Sequence, residues 1–145
     1  MKLGNFMSKE VRIASPAQSI CEAAKMMKEI DAGFLPVGEN DRLVGMITDR
    51  DIAVRAVAAG RSPDTPVRDI MSKEVLYCFE DEEIGAAAHK MSEMQIRRMP
   101  VLNRDKHLVG IISLGDIARA GTEGKSCCGA ALSDISVHGG QHVQH

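Results

Sequence analysis

Apolar residues along this chain switch between two spacings, and the switches fall in the same order twice. Val11 and Ile13 alternate with polar neighbours, the two-residue period of a short strand. Ser15-Pro16-Ala17-Gln18 follows, with a hydroxyl cap, proline at the first helical position and glutamine closing the box, so a helix is predicted to open there. Ile20, Ala23, Ala24, Met27 and Ile30 then recur at helical spacing along one face. Phe34-Leu35-Pro36-Val37 and Leu43-Val44-Gly45-Met46-Ile47 are short apolar runs bracketing a turn at Glu39-Asn40-Asp41, the pattern of two strands. A second helix is predicted over residues 49–59, stopped by Gly60. The second half predicts a strand near 75–79 and a helix carrying Ile84, Ala87, Ala88, Met91 and Met94. Strands near 99–102 and 108–112 follow, then a helix ending at Gly121. The acidic run Glu80-Asp81-Glu82-Glu83 suits the positive N-terminal end of the helix behind it.

The order repeats because the letters repeat. Met7-Ser8-Lys9-Glu10-Val11 recurs as Met71-Ser72-Lys73-Glu74-Val75, 64 positions later. The same offset pairs Ala23-Ala24 with Ala87-Ala88, Met27 with Met91, and Pro36-Val37 with Pro100-Val101. One inserted residue near His107 moves the offset to 65. Leu43-Val44-Gly45 then answers Leu108-Val109-Gly110, and Asp51-Ile52-Ala53 answers Asp116-Ile117-Ala118. A unit of about 60 residues is too small to be stable alone, so two copies are expected to cover each other's apolar faces. The expected division is a first repeat over 1–60, a linker over 61–66, a second repeat over 67–121, and a small, polar, disordered tail over 122–145. The fold class is α/β of the α+β kind, strand-helix-strand-strand-helix twice over, with two small sheets.

Composition narrows the function more than the fold. The chain has 145 residues, 44% hydrophobic and 26% charged, within the ordinary globular range. A net charge of -2 and a pI near 6.2 argue against a nucleic-acid binder, which carries a basic field. Aromatics make up only 3%, so a planar ligand has to be gripped by aliphatic side chains. Apolar runs are too short for a membrane span, and the N-terminus lacks the apolar stretch of a secretory signal. Cys21, Cys78 and the pair Cys127-Cys128 match no disulfide framework, which points to a reducing cytoplasm.

Candidate chemistry concentrates where the last strand of each repeat meets the last helix. These junctions read Gly45-Met46-Ile47-Thr48-Asp49-Arg50-Asp51 and Gly110-Ile111-Ile112-Ser113-Leu114-Gly115-Asp116. A hydroxyl three residues before a carboxylate is nearly the capping box that starts many helices. The same geometry also suits a ligand. A helix start exposes unpaired amides for a phosphate, and a carboxylate beside it can accept hydrogen bonds from a ribose diol. Arg50 adds a fixed positive charge with bidentate reach.

The doubled unit resembles the cystathionine-β-synthase (CBS) domain pair, or Bateman module. The resemblance lies in Gly-x-Ile-Thr/Ser-x-x-Asp-Ile-Ala closing each repeat, Pro-Val in each middle strand and Met-Ser-Lys-Glu-Val opening each, and covers about residues 3–121. It implies two halves packed about a pseudo-twofold axis with two clefts between them. It also implies a non-catalytic regulatory role, in which clefts take adenine nucleotides or related adenosyl ligands: AMP or ATP first, with ADP, NAD and S-adenosylmethionine in the same class. Thr48 and Asp51 then match the phosphate-side hydroxyl and ribose carboxylate of one cleft, and Ser113 and Asp116 those of the other. Adenine is expected among Val11, Ile13, Leu35, Pro36 and Ile47, or their counterparts Val75, Tyr77, Met99, Pro100 and Ile112. The resemblance requires no other cofactor.

The two copies differ. Arg50 is answered by Gly115, whereas Gly33-Phe34 is answered by Arg97-Arg98, basic residues at a place where the family often reaches nucleotide phosphates. The less favoured reading of these two arginines is a solvated charge pair on an exposed strand end. Unequal affinity is expected, with the Thr48–Asp51 cleft the better site. Cys127-Cys128 with His138, His142 and His145 offers soft-metal ligands, but not at zinc-finger spacing, and no metal site is expected. Met26-Met27, Met91, Met94 and Met99 read as core packing, as does Cys21 on its helix face, while Cys78 reads as a strand residue. Small sheets with apolar surface to cover predict a homodimer formed through helix faces and serving an effector protein. The other reading is a constitutive dimerisation or adaptor module whose clefts stay unoccupied.

Overall fold

In the computed structural model, which describes residues 1–74 and 76–120, four helices and two small sheets follow the predicted order. They are α1 (Ile20–Ile30), β1 (Phe34–Glu39), β2 (Arg42–Thr48), α2 (Asp49–Asp51, continued by wide π turns over Ile52–Val57), β3 (Cys78–Phe79), α3 (Ile84–Met94), β4 (Arg98–Leu102), β5 (Leu108–Ser113) and α4 (Leu114–Ala118). Short 3-10 turns lie at Leu3–Asn5 and Val67–Asp69. Residues 121–145, including the predicted tail with its cysteines and histidines, lie outside the described residues, as does Val75.

The chain divides into two compact units that are offset from the sequence repeats. Among the described residues, Met1–Val11 joins residues 76–120 in one unit, and residues 12–74 make the other. In the first of these, Ser8 bridges Ile111 of β5, exchanging backbone hydrogen bonds of 2.9 Å in both directions. In the second, Ser72 bridges Met46 of β2 in the same way, at 2.8 and 2.9 Å. The Met-Ser segment that opens each repeat in sequence is therefore an added edge on the sheet built by the other repeat.

Each sheet is a hairpin with attachments. β1 pairs antiparallel with β2 across the turn at Asn40 and Asp41, both in the left-handed region (φ 54° and 61°). β4 pairs antiparallel with β5, and β3 lies parallel to β4. The counterpart of β3 in the unit from Arg12 is reduced to one bridge, Ala14 to Val37, held by Ala14 N–H donating to the Pro36 carbonyl and Gly38 N–H to the Ala14 carbonyl, both at 2.9 Å. The alternation of Val11 and Ile13 thus overstates the strand, and β3 is likewise shorter than the predicted 75–79.

α1 starts four residues later than the Ser15 signal suggests, capped at Ser19 rather than Ser15. Ser15 and Gln18 do close a local turn, with Ser15 N–H donating to Gln18 Oε1 at 2.7 Å. The carbonyls of Pro16 and Gln18, however, accept from the amides of Arg68 and Val67, so they cannot begin a helical ladder. Ser19 caps instead, its hydroxyl accepting from Glu22 N–H. Of the predicted apolar face, Ile20, Ala23 and Met27 are buried, Met26 joins them, and Ala24 and Ile30 are exposed. Cys21 is only half-buried, and Met94 is exposed while Met91 and Met99 are enclosed.

Each unit has its own core. One gathers Leu3, Ile84, Met91, Met99, Ile112 and Ile117; the other gathers Ala14, Ile20, Leu35, Ile47, Val67 and Ile70. Buried Cys78 donates to Met99 Sδ at 3.0 Å, and burial pushes its thiol up to about 11, so it is protonated at neutral pH.

Three of the four carboxylates in the acidic run before α3, those of Asp81, Glu82 and Glu83, are held by partners. Glu83 caps α3 by backbone position only, and its carboxylate lies beside Lys2 and the terminal amine. Arg104 forms a bidentate pair with Asp81 at 2.7 and 2.8 Å while lying 4.1 Å over the Phe79 ring. That hydrogen bonding holds the Asp81 carboxyl below its ordinary value. A carboxylate whose folded pKa is depressed contributes stability above its unfolded pKa of about 4 and loses it as pH falls through the folded value. Arg104→Met is therefore expected to lower the urea midpoint at neutral pH, and the gap from wild type should narrow as pH falls below the ordinary carboxylate range.

Candidate functional site

Both strand-to-helix junctions form complete capping boxes. Thr48 leaves β2 in extended conformation, and its hydroxyl accepts from Asp51 N–H while Asp51 Oδ2 accepts from Thr48 N–H, both at 3.0 Å. At α4, Ser113 Oγ accepts from Asp116 N–H at 3.1 Å and Asp116 Oδ2 accepts from Ser113 N–H at 2.9 Å. The structural reading of the motif is thus realised twice. Each box consumes one carboxylate oxygen and leaves the other to its surroundings, which differ between the units.

At Asp51, Oδ1 has no donor among the described residues. Arg50 is exposed, its amide donates to Asp49 Oδ1 at 2.8 Å, and its guanidinium makes no ion pair among the described residues. At Asp116, Oδ1 is taken by the Nη2 group of Arg119, one helical turn on. Sequence reasoning passed over Arg119; the usable signal was its position three residues after Asp116, where helical side chains meet.

The backbone ahead of each junction is held alike. Asp49 N–H donates to the Gly33 carbonyl at 2.9 Å, and Leu114 N–H to the Arg97 carbonyl at 3.0 Å. The side chains are exchanged. A Cβ on Gly33 would lie 2.4 Å from Asp49 Oδ2, so a carboxylate occupies space that only glycine leaves open. In the other unit buried Leu114 replaces the acid, and position 97 can carry an arginine. Arg97 Nε and Arg98 Nη1 are shielded from solvent and find no acceptor among the described residues. Unpaired buried donors are costly, and cationic ones more so. A cleft of about 280 Å³ beside the first junction is lined by Lys28, Asp31 and Asp49 among others.

The predicted adenine contacts separate by burial. Leu35, Ile47, Met99 and Ile112 are fully enclosed core residues, and Pro36 and Pro100 are buried with them. A ligand can meet them only along their backbone. Ile13 is 44% exposed and stands over Gly38. Tyr77 is half-buried, edge-on to Phe79, and its carbonyl accepts from Lys90 at 2.9 Å. Val11 is half-buried in the unit opposite to that of Ile13. No group of three or more potential metal ligands exists among the described residues. No described helix is long and apolar enough to cross a membrane.

Comparison with known proteins agrees with this architecture. The family described as CBS domain matches residues 3–57 and 67–123. The CBS domain-containing protein YhcV of Bacillus subtilis (strain 168) is 42% identical over 130 residues, covering 90% of this chain and 91% of that protein. The CBS domain pair of protein MJ0100, solved with 5-methylthioadenosine and S-adenosyl-L-methionine, superposes with a TM-score of 0.72 at 33% identity, covering 82% of this chain and 94% of that one. CBSX2 in complex with AMP superposes with a TM-score of 0.73 at 26% identity, covering 86% of this chain and 98% of that one. Two domain matches, placed on the two halves of the internal repeat, make this chain a member of the CBS domain family with the domain in tandem.

Proposed function

We propose that this protein is a non-catalytic regulatory module that binds an adenosyl ligand of the AMP, ADP, ATP, NAD or S-adenosylmethionine class, AMP or ATP ahead of the rest, and signals its occupancy to a partner protein. The observation that carries this is Asp51. Its box with Thr48 holds the carboxylate in place, yet Oδ1 keeps its lone pairs for a ribose diol. Thr48 and the exposed Arg50 stand on the phosphate side. The unpaired nitrogens of Arg97 and Arg98 call for an anionic acceptor, and relatives solved with AMP and with S-adenosyl-L-methionine support the ligand class. The base is recognised by backbone groups of residues 35–36 and 99–100, because aliphatic walls supply shape and no hydrogen bonds. The module works as a homodimer, and the solvent-facing pair Val54 and Val57 on α2, the latter 69% exposed, is apolar surface suited to that contact.

Calorimetric titration with AMP tests the assignment. Hydrogen bonds to a charged group are worth about 1.5–3 kcal/mol, so Asp51→Ala should weaken AMP binding at least tenfold. Unchanged affinity in Asp51→Ala, with Asp116→Ala abolishing binding, would reverse the roles of the two junctions. The reciprocal boxes favour a second reading, an adaptor that needs no ligand, since they engage the Thr48 hydroxyl and Asp51 Oδ2 within the chain. A thermal-shift panel of AMP, ADP, ATP, NAD and S-adenosylmethionine separates the two. A binder gains about 2.7 kcal/mol at a hundredfold excess over its dissociation constant, whereas an adaptor gives a flat panel.

A further inference from the structure

The two junctions carry their arginine one helical turn apart, and that displacement decides which of them is open. Near α2 the arginine is Arg50, immediately before Asp51, and near α4 that position is Gly115. The α4 arginine is Arg119 instead, whose counterpart in the first repeat is Val54. Three positions along a helix bring a side chain back over the same face. Arg119 Nη2 accordingly donates to Asp116 Oδ1. Asp116 Oδ2 already accepts from the Ser113 amide at 2.9 Å, so both oxygens of this carboxylate are engaged within the junction. Val54 offers Asp51 no donor, and Arg55, four residues on, turns its guanidinium to the Met71 carbonyl at 3.4 Å, which leaves Asp51 Oδ1 without a donor among the described residues.

Solvation makes the α4 pair more than a passing surface contact. The Asp116 side chain is only 12% exposed, while that of Arg119 is 72% exposed. A carboxylate largely withdrawn from water has lost hydration, and the guanidinium replaces it without losing its own. An incoming diol therefore meets an oxygen that must first give up a charged donor. Its two hydroxyls are neutral donors and weaker than the guanidinium they displace.

We propose that Arg119 is an internal competitor for Asp116, closing the Ser113–Asp116 junction to a ribose diol so that the Thr48–Asp51 junction fills first. This rests on the assignment of Asp51 and Asp116 as ribose-binding carboxylates. An exposed-to-half-buried ion pair of this kind costs the second junction about a fivefold loss of diol affinity. The two junctions then respond over different ligand concentrations, the first as the sensitive site and the second as the site that reports high ligand.

The test uses the full chain and adenosine, which carries the diol and the base but no phosphate for Arg119 to attract. In an Asp51→Asn background the Ser113–Asp116 junction alone keeps its carboxylate. Calorimetric titration of that variant with adenosine is expected to show about fivefold tighter binding when Arg119→Val is added. Arg119→Met keeps the alkyl stem and should give the same gain, which separates the loss of charge from a loss of packing. Thermal melts identify any variant that does not fold, in which case the other serves. Equal or weaker adenosine binding in the folded variants overturns the competitor. The underlying assignment fails in a different way. If wild type does not bind adenosine, or the Asp51→Asn/Asp116→Asn double variant binds it as wild type does, the carboxylates hold no diol and the competitor falls with them.

Discussion

Valine in place of Gly110 is expected to cost about 2–3 kcal/mol of stability. Gly110 lies on β5 where the opening segment of the chain docks. A Cβ there would sit 2.5 Å from Met7 Sδ and 2.7 Å from the Ser8 carbonyl oxygen. The methionine side chain can move. The Ser8 carbonyl cannot, because it accepts from Ile111 N–H at 2.9 Å and shifting it breaks the bridge that holds the segment. The matching glycine of the other unit, Gly45, meets the Ser72 carbonyl at 2.7 Å, so Gly45→Val should behave alike. Gly115 provides the contrast. A Cβ there meets nothing closer than 3.6 Å, and Gly115→Ala is expected to raise stability by about 0.5–1 kcal/mol through helix propensity. Urea titration checks all three; a Gly110→Val protein as stable as wild type would mean that the segment does not dock on β5.

Truncating Ile47 to alanine should cost more, about 2–5 kcal/mol. Ile47 is wholly buried in β2, opposite Leu35 of β1, within a core of twelve buried residues. A core that small has few neighbours able to relax into the space left behind, so the cavity term stays close to its full size. Ile47 also immediately precedes Thr48, so its packing sets the exit of β2 and with it the position of the capping box. The expected result is a lower urea midpoint with a steeper loss of ligand affinity than stability alone explains. Ile112→Ala, the same change before Ser113, should match it in stability and leave the first junction's affinity intact. If Ile47→Ala changed neither midpoint nor affinity, β2 would not be the element that places the site.

Much of this was legible in the chain itself. The hairpins at 34–47 and 99–112 were readable because alternating or continuous apolar runs flank short polar turns, a local signal that packing does not reverse. The capping boxes were readable for the same reason, since Thr48–Asp51 and Ser113–Asp116 bond within three residues. What misled was equally local. Ser15-Pro16-Ala17-Gln18 carries every sign of a helix start, yet distant amides at Val67 and Arg68 claim its carbonyls and α1 begins at Ile20. Ala24 fits the helical period but falls at the edge of the buried stripe, and Ile30 lies on the stripe as the last residue of α1; both are exposed.

The amino-acid order by itself determined the duplicated unit, the two hairpins, the hydroxyl-acid junctions and the family, because these depend on periodicity and on spacings of a few residues. Only the tertiary structure decided that Met7-Ser8 and Met71-Ser72 each complete the sheet of the opposite repeat, and that Asp51 keeps an oxygen free while Asp116 gives its own to Arg119. The physical reason is that both are outcomes of competition for a backbone edge or a carboxylate oxygen. Which donor wins depends on where the folded chain brings it, and no local pattern encodes that.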